Sequence, residues 1–131
     1  WLNEGLAEFM SAVEVKGGRV GRTGLVLQGR LDNIRYFVKA NGNRPMAFPK
    51  IMQETPQEFY SGAVWAKYAQ AWSMVHFFEL GATPDVKGRY QRYLKALREG
   101  TPSKEAYAQA WVGVDWSAIQ KRWWAHVEAM K

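Results

Sequence analysis

The chain of 131 residues has two histidines and no cysteine, so imidazole and thiolate chemistry is scarce from the start. His76 and His126 stand far apart, and neither belongs to a pair at metal-ligand spacing such as H-x-x-x-H. Each reads as a hydrogen-bonded residue at the boundary of a helical core. The lack of cysteine excludes disulfides and thiolate metal sites. No G-x-S-x-G run offers a nucleophilic serine on a sharp elbow. The stretch GGRVGRTG (17–24) is rich in glycine and arginine, but it lacks the G-K-[ST] that completes a phosphate loop. The opening run WLNEGLAEFM places a carboxylate, Glu4, at the start of a helical pattern. In the first turn of a helix such a group ordinarily serves as a solvated partner of the helix dipole.

The elements that must position Glu4 are mostly helices. Leu2, Leu6, Phe9 and Val13 recur at helical spacing, which predicts a helix over 3–14 with Asn3 as its N-cap. Five glycines between 17 and 29 break that pattern, and a loop or small hairpin near 15–28 follows. A second helix begins at Leu31, with Leu31, Ile34, Phe37 and Val38 inward and Asn41-Gly42 as its stop. Residues 43–56 hold three prolines and read as loop, with a short helical turn around 50–53. The longest helix starts near Thr55-Pro56, runs through YAQAWSMVHFFEL and stops at Gly81. Its stripe of Val64, Tyr68, Ala71, Trp72, Val75 and Phe78 is broad enough for a central core helix. Three more helices follow, capped by Asp85, Ser103 and Asp115, the first of them stopped by Gly100. The run YAQAW occurs at 68–72 and again at 107–111, but its flanks do not align, so no repeat is read from it.

The composition supports a packed domain. Hydrophobic residues make up 47% of the chain, with seven Trp, six Tyr and six Phe, so this is no disordered tail. No apolar run approaches the roughly 20 residues of a membrane span. The net charge of +6 is concentrated: Lys16, Arg19, Arg22, Arg30, Arg35, Lys39, Arg44 and Lys50 face Asp32 alone between residues 16 and 50. Such a surplus suits an anionic partner. Between 16 and 35, however, no stacking aromatics interleave the bases as single-strand binding requires. The stretch therefore reads as a solvated face, and nucleic acid is not the expected partner.

WLNEGLAEF closely resembles the segment W-L-N-E-G-[FL]-A of the gluzincin zinc metallopeptidases. In that family the histidines of H-E-x-x-H hold zinc from one helix, and the glutamate of the N-E-G segment on the next helix is the third ligand. A catalytic zinc takes three protein ligands and keeps one position open. The resemblance implies that Glu4 is the metal ligand of this segment, that Asn3 caps its helix, and that Gly5 lets this helix approach the H-E-x-x-H helix closely. The order of the later segments is similar to a gluzincin-like family, domain of unknown function family 1570, related to peptidase MA. There Y-x-Q-[SA]-W-x-x-V-x-F-L follows the glutamate helix, matched here by Tyr68, Gln70, Trp72, Val75 and Phe77 or Phe78. The likeness covers nearly the whole chain, but only the first seven residues are specific. Gluzincin aminopeptidases also use a tyrosine to stabilise the tetrahedral oxyanion. Tyr68, whose motif matches, is the candidate for that role, with Tyr60 as substitute.

The chain departs from the family in having no H-E-x-x-H. The expectation is therefore a single, mainly α domain over 1–131: about six helices forming the C-terminal helical lobe of a gluzincin-like domain, as a fragment of a larger protein. Zinc and a peptide or protein substrate belong to that parent, and the fragment alone is expected to be inactive and to hold no zinc. An extracytoplasmic location follows only where the parent's N-terminus carries a signal. Two other readings stand beside this one. The first is a non-catalytic helical interaction module using the basic 16–50 surface. The second is a degenerate peptidase-like protein.

Overall fold

A computed structural model describes residues 1–131 and arranges them as eight helices and one hairpin. Helix α1 spans Leu2–Ser11, and strands β1 (Val13–Lys16) and β2 (Arg19–Thr23) form the hairpin. Then come α2 (Gln28–Ala40), α3 (Phe48–Gln53), α4 (Pro56–Phe59), α5 (Val64–Leu80), α6 (Pro84–Arg98), α7 (Ser103–Ala110) and α8 (Trp116–Ala129). The fold is mainly α, with the hairpin in the glycine-rich region. The six expected helices are all present, and the short α3 and α4 make up the eight. No helix is long and apolar enough to cross a membrane.

Helix α5 is the axis of the fold. The sequence pattern gives it one broad apolar stripe, but the structure buries every residue from Ala69 to Phe78, whichever way it faces. Buried polar groups must be hydrogen-bonded. Accordingly Ser73 Oγ donates to the Gln70 carbonyl at 2.9 Å and accepts from Trp123 Nε1 at 3.2 Å. Around α5 pack α1 through Phe9, α2 through Leu31, Ile34 and Val38, and α8 through Ile119, Trp123 and Val127, all in one apolar cluster.

Several boundaries differ from the sequence pattern, each for a local reason. Helix α1 ends at Ser11, because Val13 and Glu14 are drawn into the hairpin. Gly17 and Gly18 both take positive φ (56° and 73°), which makes the tight turn that pairs Val15 with Val20 and Lys16 with Arg19. The hairpin thus covers 13–23, earlier than expected. At its other end α1 starts at Leu2, so Asn3 lies exposed inside the first turn and caps nothing. The Thr55-Pro56 signal starts a separate four-residue helix, α4, through a reciprocal capping box with Glu58. The chain then breaks over Tyr60–Ala63, where Gly62 has φ 70°, before α5 begins. Thr83 rather than Asp85 stands before α6, and Pro102 rather than Ser103 before α7. Asp115 does cap α8, accepting from Ala118 N at 3.0 Å.

Candidate functional site

Gly5 decides where Glu4 sits. A Cβ on Gly5 would lie 2.6 Å from the Ala71 carbonyl oxygen and 2.8 Å from Val75 Cγ2. Only the missing side chain allows α1 to lie this close to α5, which is the partner the structure gives Gly5. With the Gly5 face seated, Glu4 turns off the apolar seam and its half-buried side chain lines a cleft of about 520 Å³. Trp1, Leu2, Thr55, Tyr60, Tyr93 of α6 and Lys104 of α7 are among the other residues that line it. Trp1 is fixed there by stacking on Tyr93, with ring centroids 6.3 Å apart and planes 8° from parallel.

Glu4 pairs with no lysine or arginine. Its partner is a phenol: Tyr60 Oη donates to Glu4 Oε1. That bond favours the neutral phenol, and the pKa of Tyr60 is pushed up to about 12 by it. Tyr60 is brought to Glu4 by α4, whose end it forms. Helix α4 is in turn anchored by Lys67 of α5, whose Nζ donates to the Glu58 carbonyl at 2.5 Å and pairs with Glu54 at 3.0 Å. Lys67 and Glu54 are nearly buried, a setting in which each charge requires the other.

Tyr68, on the first turns of α5, is the neighbour of this pair. Its pKa is raised, first by desolvation and then by Glu4, while Arg30 acts in the opposite sense. Tyr68 does not line the cleft; Tyr60 does. Phe59 stands edge-on to both rings, with centroids 5.6 Å away in each case. On its other side Tyr68 carries the Arg30 guanidinium, 5.2 Å from its ring centroid. The structure therefore brings all three sequence-derived residues, Glu4, Tyr60 and Tyr68, to one region. Tyr60 is the one that reaches the carboxylate.

A single carboxylate at a helix N-terminus, facing a cleft and free of cationic partners, has the donor chemistry of one metal ligand. Nowhere do three or more His, Cys, Asp or Glu side chains gather so as to hold a metal among themselves. The two histidines, distant in sequence, do meet: His76 Nδ1 and His126 Nε2 lie 2.9 Å apart between α5 and α8. Burial, and after it the neighbouring His126 imidazole, push the pKa of His76 down to about 4. His126 is lowered by burial as well. This contact has no signal in sequence, because the two residues lie on different helices and share no periodicity.

The basic stretch is partly consumed within the fold. Arg30 pairs with Glu8, Lys16 and Arg22 flank Glu14, and Arg35 Nη2 donates to the carbonyls of Val127, Glu128 and Met130.

Comparison with known proteins finds one family, described as "Protein of unknown function (DUF1570)", whose model matches residues 1–92. No curated protein and no solved structure matches the chain. The matched stretch contains Glu4, Tyr60, Tyr68 and the whole of α5, and by that match the chain belongs to the DUF1570 family.

Proposed function

We propose that this chain carries part of the site of a zinc-dependent metallopeptidase of the gluzincin kind, with Glu4 as the third protein ligand. The observation that supports this reading most is the setting of Glu4 within W-L-N-E-G-L-A. It sits in the first turn of α1, on a cleft, without a cationic partner, and its carboxylate is held by one phenol with a second beside it. The two histidine ligands and the base belong to an H-E-x-x-H segment, which these 131 residues do not contain. Zinc, when bound, supplies Lewis acidity at the scissile peptide carbonyl. The residues of this chain would do the rest of the positioning. Glu4 would hold the metal, and Tyr60, donating to its Oε1, would orient the carboxylate. Tyr68, on α5 beside the same carboxylate, would be the phenol that donates to an oxyanion, with Tyr60, which lines the cleft, as its substitute.

The test uses a polypeptide carrying both this domain and an H-E-x-x-H segment. Zinc content and hydrolysis of a peptide library are measured for the wild type and for Glu4→Gln. The reading requires loss of bound zinc and of cleavage in the variant, with an unchanged circular dichroism spectrum. Retention of zinc and activity by Glu4→Gln would remove Glu4 from the site.

A further inference from the structure

The hairpin of β1 and β2 sorts its residues by charge. Val15 stands directly opposite Val20, and on the next rung Lys16 stands opposite Arg19. Opposed residues share a face and successive rungs alternate, so the valines lie on one face and the two cations on the other. Glu14, two residues before Lys16, is on the charged face, its Oε1 3.0 Å from Lys16 Nζ. The pairs Val13–Thr23 and Val15–Val20 leave Glu14 opposite both Gly21 and Arg22, which is a β-bulge. The bulge turns Arg22 to the charged face, where its Nε lies 3.6 Å from Glu14 Oε2.

The fold completes neither face. Val15 and Val20 are 62% and 67% exposed, every residue of β2 is exposed, and no third strand joins the sheet. Burial falls along β1 towards the Gly17-Gly18 turn, which has open space around it. On the charged face Lys16, Arg19 and Arg22 stand against Glu14 alone, and Arg19 pairs with no carboxylate. Lys16 and Arg19, directly opposed, repel each other, and an anion between them would relieve that. The exposed pairs with Glu14 are weak in water, so they leave the other two cations available as well. We propose that this hairpin lies on anionic membrane surfaces, with Val15 and Val20 set among the lipid headgroups and Lys16, Arg19 and Arg22 reaching round the ribbon to lipid phosphates. Long basic side chains can lay their stems along apolar neighbours while their charged heads stay in the polar layer. This is contact with a bilayer rather than a crossing of it, and it stands independently of the peptidase reading. Single-stranded nucleic acid fits less well, because residues 13–23 hold no aromatic ring on which a base could stack. A second copy fits poorly too, because two valines per chain bury far less area than a stable dimer needs.

The experiment is sedimentation of the intact chain with sucrose-loaded vesicles of phosphatidylcholine and phosphatidylglycerol in equal parts. The chain should pellet with these vesicles at low salt and stay in solution with vesicles of phosphatidylcholine alone. Lys16→Gln combined with Arg19→Gln should weaken binding at least about tenfold, each charge near an anionic surface being worth about fivefold. Val15→Thr combined with Val20→Thr keeps the β-branched shape and should weaken binding by about tenfold. Full retention of binding by either folded double variant would overturn the proposal. Absence of pelleting by the wild type would overturn it as well, and binding of a single-stranded oligonucleotide in that case would assign the cations to nucleic acid. Should a variant fail to fold, the salt dependence of the wild type decides. Pelleting should fall as sodium chloride screens the headgroups, and pelleting that salt leaves unchanged would overturn the proposal.

Discussion

Gln70 closes both backbone groups of Met46. Its Oε1 accepts from the Met46 N–H at 3.0 Å, and its Nε2 donates to the Met46 carbonyl at 2.6 Å. Only an amide side chain offers a donor and an acceptor in this arrangement. The loop after α2 is thereby stitched to the centre of α5 by a fully buried residue. Gln70→Leu strands two partners at once, and the expected loss is about 2–4 kcal/mol in urea unfolding. Exchange of the Met46 amide with deuterium should speed up in parallel. A variant as stable as the wild type would show that water replaces the amide without cost.

The contact beneath Gly5 gives a second prediction. Because one obstruction is the backbone oxygen of Ala71, it cannot rotate away, and Gly5→Ala should destabilise the domain by about 1–3 kcal/mol. Gly29, in α2, has nothing within 4 Å of where its Cβ would be. Gly29→Ala is therefore the control, and it should be neutral or stabilising by about 0.4–1 kcal/mol. Equal effects at the two sites, read from urea midpoints, would contradict the close packing of α1 on α5.

The histidine pair makes the domain acid-sensitive. The pKa of His76 is held near 4, below its ordinary 6.5, so the folded state prefers the neutral ring. The stabilisation is complete above pH 6.5 and is lost as the pH falls towards 4, since the unfolded chain then binds the proton first. Between pH 7 and 4.5 the melting temperature should drop by roughly 5–10 °C. His76→Gln should flatten that slope while lowering the plateau. A wild-type melting temperature that holds steady over this interval would rule out a neutral, buried pair.

Tyr60 responds at the opposite end of the scale. Its phenol is held up to about 12 by donating to Glu4, against an ordinary value of 10. The sign is that of a raised group: its stabilisation is intact below pH 10 and disappears as the pH rises towards 12. In ring-carbon spectra the signal lost in Tyr60→Phe should titrate near 12 in the wild type. It should return towards 10 in Glu4→Gln. Titration at 10 with Glu4 intact would mean that the hydrogen bond does not form in solution.

How far the sequence carries can be judged from particular residues. The stripes of α2, the stop at Asn41-Gly42, the Asp115 cap and the central place of α5 follow from spacing and from capping chemistry alone. Asn3 misleads, because a capping side chain one residue inside a helix looks the same in sequence as one at its boundary. Val13 misleads too, since it continues the α1 stripe while the Gly17-Gly18 turn, further along, recruits it to a strand. At the site, Glu4 is legible from its motif. The approach of Tyr60 depends on α4 being a separate turn pinned by Lys67, and the meeting of His76 with His126 depends on the packing of α8. Both are tertiary facts with no local trace.

The three carbonyls that Arg35 gathers from the end of α8 tie an early helix to the last turn of the last one. Contacts of such sequence separation are closed late, because loop entropy must be overcome before they form. On a ribosome, the segment bearing Glu4, Tyr60 and Tyr68 would emerge long before Met130. It would wait, with α5 incompletely covered, until the chain had been made through that residue. Nascent chains in which residues 127–130 are still inside the ribosome should therefore remain open to proteases along α5, and those extended until these residues have emerged should close.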